Sequence, residues 1–164
     1  MALKDVLSSL QQTPFATAVA EGLTLFPWIE TVHVLSIVTV VGTIMVVDLR
    51  LLGVAAHRRS IRRLLGDVLP FTWTAFILAL ASGFAMFASN AVKYADNPAF
   101  QVKMLLLVVA AANMIAFHLV THRGSHIWDD KINTPPAVRA AGAISLAVWV
   151  SIVFFGRWIG FTMH

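Results

Sequence analysis

FPWIETVHVLSIVTVVGTIMVVDLRLLGVAAH, residues 26–57, is the stretch whose reading decides the fold. Between Glu30 and Asp48 the only ionisable residue is His33, and everything around it is apolar or small. The eighteen residue steps from Glu30 to Asp48, wound as a helix at about 1.5 Å per residue, rise roughly 27 Å, close to the hydrocarbon thickness of a bilayer. The stretch therefore predicts a membrane span with an acid at one end and Asp48-Leu49-Arg50 at the other. An ionisable side chain inside such a span is costly and marks a functional group, which makes His33 the first candidate.

The rest of the chain agrees with this class. Of 164 residues 59% are hydrophobic and only 12% charged, about half the charge an ordinary soluble domain carries. Hydrophobic runs predict spans over about 28–55, 69–91, 100–122 and 137–161 of a single membrane domain, 1–164. The N-terminal 25 residues lack the continuous apolar core of a cleaved leader, because Ser8, Ser9, Gln11, Gln12 and Pro14 interrupt it. Leu3, Val6, Leu7 and Leu10 recur at helical spacing instead, which predicts an interfacial helix within about 2–25, broken at Pro14 and Gly22. The fold class is all-α: a polytopic, antiparallel four-helix transmembrane bundle preceded by that interfacial helix. Small residues along the second span (Ala79, Ala81, Ser82, Gly83, Ala85) let helices approach closely.

The formal net charge of +4 is confined to the segments between spans. It speaks of orientation in the lipid bilayer and gives no support to nucleic-acid binding. Arg58, Arg59, Arg62, Arg63, Arg123 and Lys131 lie in the first and third loops, while the opposite side has Lys4, Lys93, Lys103 and Arg157. The positive-inside rule then predicts cytoplasmic histidine-rich loops and both termini on the outer, periplasmic side. This topology gathers Glu30, His33, Lys103 and Arg157 in an outer polar layer. Asp48, Arg50, Asn113, His118 and His122 form an inner one.

LFPWIETVHVLSIVTVVGTIMVVDLRLLG, FTWTAFILALASGFAMFAS, AFQVKMLLLVVAAANMIAFH and SLAVWVSIVFFGRWIGF resemble an uncharacterised bacterial family of four-helix inner-membrane proteins, which implies a place in the bacterial inner membrane. More distantly, a VH pair near the outer end of the first span, DLRLL at its inner end and a KMLLL run opening the third are similar to the HemJ-type protoporphyrinogen oxidases and the CopD-like copper-resistance membrane domains. In the HemJ-type proteins the corresponding histidine and lysine hold a b-type haem. That resemblance implies His33 and Lys103 as haem ligands and, if the protein is an enzyme, a HemJ-like oxidoreductase. The inner-end tryptophans and Pro-Arg-Leu-aromatic element of those oxidases are replaced here by Val46–Leu52, so porphyrinogen oxidation is not carried over with haem binding.

The residues support the pair on their own chemistry. A neutral imidazole and a free amine are both nitrogen donors to iron, Arg157 offers a planar donor to a propionate, and Glu30, one turn from His33, can orient the ring. The leading expectation is a b-type haem protein in electron transfer or as the membrane partner of a redox enzyme, with a redox partner protein and self-association as its contacts. His118, His122 and His126 recur at i, i+4 spacing and make His118 a second haem or metal site, with His57 as a partner, although Gly124 is expected to end the helix first. His164 offers another imidazole at the terminus. Copper handling is the alternative, with Met45, Met86, Met104, Met114 and the histidines as ligands; a cofactor-free assembly subunit is the third. No cysteine is present, and no nucleophile–base pair, phosphate-binding glycine loop or carboxylate dyad appears, so hydrolytic and phosphoryl-transfer chemistries have no candidate site.

Overall fold

A computed structural model describes residues 2–54, 61–128 and 135–163, with the backbone alone for residues 2, 62, 118 and 120–128. The described residues form α1 (Ala2–Gln11), α2 (Pro14–Glu21), α3 (Leu25–Leu51), α4 (Ile61–Ser89), α5 (Ala91–Asp96), α6 (Pro98–Trp128) and α7 (Pro136–Thr162), with no strand among them. Four of these helices, α3, α4, α6 and α7, are long and apolar enough to cross a membrane. They make the antiparallel transmembrane bundle that the hydropathy pattern predicts.

Several boundaries differ from the sequence expectation, each for a local reason. The first span starts at Leu25 because Pro27 falls in the first helical turn, where its missing N–H is no loss. It ends at Leu51 rather than near 55, and Gly53 takes up a left-handed φ of 75° just beyond. The second begins at Ile61 and carries Pro70 within it, where a start near 69 was expected. The third passes through Gly124 to Trp128 instead of stopping near 122. A lone glycine costs a helix only about 1 kcal/mol, and no proline follows until Pro135. The fourth, expected at 137–161, is longer by one residue at each end. The N-terminal segment is two helices: Pro14 opens α2 and the Thr13 hydroxyl accepts from the Ala16 N–H at 3.3 Å to cap it.

The helices pack as two hairpins. α3 lies against α4, α6 against α7, and the hairpins meet where α3 touches α7. Among the described residues the Cα atoms of α4 and α6 nowhere approach within 8 Å. The hairpins approach closely at Gly142 of α7, where an added Cβ would sit 3.0 Å from Leu51 Cβ and 3.2 Å from the Asp48 carbonyl oxygen of α3. Beside it Leu51, Ile61, Phe117 and Val138 form a buried apolar cluster.

At the other end α1 and α2 lie across α4 and α5, pinned by a 2.9 Å ion pair between Lys4 and Asp96. Asn97 ties α6 to α7 there: its oxygen accepts from the N–H groups of Ala99 and Phe100, and its amide donates to Thr162 Oγ1. Phe87 of α4 stacks on Phe100 of α6 with ring centroids 5.4 Å apart, Tyr94 alongside. Leu35, Val38, Leu105 and Val150 are all more than half exposed, which suits a surface solvated by lipid chains.

Gly142→Leu is expected to destabilise the protein by about 1–3 kcal/mol through overpacking against α3. Gly160→Leu, at a position where nothing lies within 4 Å of the added Cβ, should leave stability nearly unchanged. Thermal unfolding in detergent micelles measures both.

Candidate functional site

His33 lies eight residues after the start of α3 at Leu25, and Ser82 seven before the end of α4 at Ser89. In an antiparallel pair these are nearly the same depth, and the structure joins them: His33 Nδ1 is 3.0 Å from Ser82 Oγ. The Ser82 hydroxyl gives its own hydrogen to the Leu78 carbonyl at 2.6 Å. In the tautomer with the proton on Nδ1, the ring donates to Ser82 and the lone pair lies on Nε2. The ring also hydrogen-bonds to the backbone of Ala79, on the same stretch of α4 as Ser82.

Gly83 makes room for the ring. A Cβ there would stand 2.9 Å from His33 Cε1 and 3.5 Å from Nδ1, so a larger residue would push the imidazole aside. The half-buried Lys103 lies near enough for its charge to act on His33. Its Cδ, Cε and Nζ all pass 3.9 Å from where a Cβ would stand on Gly156, so the side chain runs along α7 instead of extending freely into lipid. Two small residues thus seat the two nitrogen donors, Gly83 under the imidazole and Gly156 under the amine.

The other members of the expected outer layer are placed differently. Glu30 is exposed, and the partner at His33 Nδ1 is Ser82 rather than Glu30. The carboxylate lies toward Tyr94, whose phenol is held above its ordinary value first by burial and then by the Glu30 charge. Arg157 is exposed and sits over the ring of Phe161, 5.2 Å from its centroid. In the expected inner layer, Asp48 and Arg50 are both buried, at 4% exposure. The Asn113 amide donates to the Ala141 carbonyl at 3.1 Å, bracing α6 on α7. The backbone of α6 is helical through 118, 122 and 126, so those positions share one helix face. The side chains of His118, His122 and His126 lie outside the described residues, as do His57 and His164.

Ser82 and Gly83 are the site residues that residue-type reasoning missed. They were visible only as members of a small-residue face, and matching depths across the first hairpin would have found them. Asp48 was visible as a charged span end, but its burial against α7 follows from Gly142.

A family model describing a family of unknown function, DUF6644, matches residues 20–162. The chain belongs to that family. No curated protein and no solved structure matches it, and the comparisons bring no support for the resemblance to the HemJ-type oxidases or the CopD-like domains. The match covers all four spans and the His33–Ser82 pair, while α1 and most of α2 lie before it.

The chain has one tyrosine, so tyrosinate absorbance reads Tyr94 alone. Glu30→Gln removes the negative charge that opposes ionisation and should move the titration to lower pH. Because the folded phenol ionises above the unfolded one, its contribution to stability is complete below the ordinary tyrosine value of about 10 and is lost as pH rises past it. An identical titration curve in the variant would contradict this placement of Glu30.

Proposed function

We propose that the protein binds a b-type haem within the membrane and serves in electron transfer or as the membrane partner of a redox enzyme. The observation that carries this reading is the His33 ring, fixed through Nδ1 on Ser82 and seated against Gly83 beside Lys103 in an apolar interior. Metal-binding histidines are set in this way: the second nitrogen donates to a fixed acceptor, which selects the tautomer and aims the first.

The donor set fits the group. His33 Nε2 would hold the iron, and Lys103, seated on Gly156 and close to His33, is the second candidate. Arg157, on the last turns of α7, is the cation available to a propionate, once it leaves Phe161. Haem when bound supplies one-electron exchange at its iron. The protein's part is to hold the imidazole in one orientation, to exclude water with the apolar side chains of four helices, and to keep the aromatic group of Phe87, Tyr94 and Phe100 packed over that end of the bundle.

Haem needs only one or two protein ligands, which the site has. The arginine distribution between loops supports an orientation with both termini on the periplasmic side of a bacterial inner membrane.

Protein purified in detergent, with haem added if needed, should show a Soret band that sharpens and shifts on reduction with dithionite. His33→Ala should abolish it. Ser82→Ala should keep the band but weaken haem affinity by about 10–100-fold, the usual effect of removing a ligand's orienting partner. A colourless protein that gains no absorbance on reconstitution contradicts the proposal.

A further inference from the structure

The separation of α4 from α6 leaves a cleft of about 400 Å³ lined by all four spans. Along α4 it reaches from Leu65 to Leu80, fifteen residues or about 22 Å of helix. It occupies the part of the bundle toward Asp48, away from the Phe87–Phe100 stack. Trp73, Leu80 and Val108 on its rim are 47%, 54% and 65% exposed, so the cleft opens sideways toward lipid. Its volume falls in the range of small-molecule sites, about 300–1,000 Å³.

One feature of its wall is unlike the rest. Asp48 lines the cleft at 4% exposure, and its Oδ2 is a buried oxygen with no hydrogen-bond partner. The other polar groups nearby are committed. Thr72 donates to Thr43 or the Val68 carbonyl, the Asn113 amide donates to the Ala141 carbonyl, and Ser145 faces the same Asp48 carboxyl group. An unsatisfied polar group in hydrocarbon is costly, and nothing in the surrounding lipid tails can satisfy it. A ligand that donates a hydroxyl hydrogen to Oδ2 would remove that cost. Phe76, Trp73, Phe117 and Trp149 also line the space, offering aromatic faces to a flat ring.

We propose that this cleft binds a lipid-soluble molecule of the quinol class, with a ring hydroxyl at Asp48 and an apolar tail leaving between α4 and α6 into the bilayer. A single unsatisfied oxygen in an apolar wall suits one neutral hydrogen-bonding head. A phospholipid headgroup, with its charges and several polar atoms, has no matching partners there. His33 and Asp48 are fifteen positions apart on α3, about 22 Å, so the hydrogen-bonding end of the cleft at Asp48 is remote from His33, while its other end at Leu80 and Met104 comes up to the neighbours of Ser82 and Lys103.

The test uses the full chain in detergent, titrated with an alkyl-tailed benzoquinol and followed by fluorescence of the tryptophans, two of which line the cleft. Saturable binding is expected in the wild type. Asp48→Leu should weaken it by about tenfold or more, the loss of one good hydrogen bond, and Ala111→Trp, which fills the cleft from α6, should abolish it. Binding should persist in His33→Ala, which separates failure of this inference from failure of the haem reading. An alkylbenzene with the same tail should bind the wild type and Asp48→Leu alike, and more weakly than the quinol binds the wild type. Should Asp48→Leu fail to fold, Ala111→Trp decides. The inference is overturned if the quinol partitions without saturation, if its affinity is unchanged in the folded variants, or if the alkylbenzene binds as tightly.

Discussion

The approach of α7 to α3 at Gly142 is the contact on which the rest of the bundle depends. Two helical hairpins, α3–α4 and α6–α7, each have their own packing, and in a bilayer no hydrophobic force drives them together because lipid tails are as apolar as the helix faces. What holds them is close van der Waals contact, which requires a residue with no side chain where Leu51 and the Asp48 backbone come nearest. From that contact follow the burial of Asp48, the apolar cluster at Leu51 and Phe117, and a gap between α4 and α6 that neither hairpin closes.

The polar groups inside the spans obey one constraint. Hydrocarbon supplies no hydrogen bonds, so each group must find a partner within the protein or remain available for a ligand. Ser36, Thr39, Thr43 and Ser151 donate to carbonyls of their own helices. His33 is fixed by Ser82 and the Ala79 backbone on the neighbouring helix, and Asp48 keeps one oxygen. These two residues lie at opposite ends of the interior, one beside Lys103 and the other in an apolar cleft. That contrast with the self-satisfied hydroxyls is why the two residues carry the functional reading.

Much of the fold was legible because a bilayer imposes one length on every span and makes hydropathy a strong signal. The ends were less legible, because the rules that stop helices in water are weak against continued packing: Pro70 and Gly124 both lie inside helices. The site was half legible. His33 and Lys103 stand out as ionisable residues in apolar runs, whereas Ser82 and Gly83 are ordinary small residues until the hairpin sets them at the depth of His33. Glu30 illustrates the reverse error. It is one turn from His33 along the chain, yet the antiparallel neighbour supplies the ring's partner and Glu30 lies nearer Tyr94. Sequence proximity on a helix gives candidates, and depth across helices chooses among them.

The central claim is that His33 Nε2 is a metal-ligating nitrogen with Nδ1 held by Ser82. Its most direct test is pulsed electron paramagnetic resonance on ferric haem-reconstituted protein grown with nitrogen-15 histidine alone. Strong hyperfine coupling from a labelled imidazole nitrogen directly bonded to iron is predicted, present in the wild type and absent in His33→Ala. A ferric signal with no labelled nitrogen coupling, or coupling that survives the loss of His33, would contradict it.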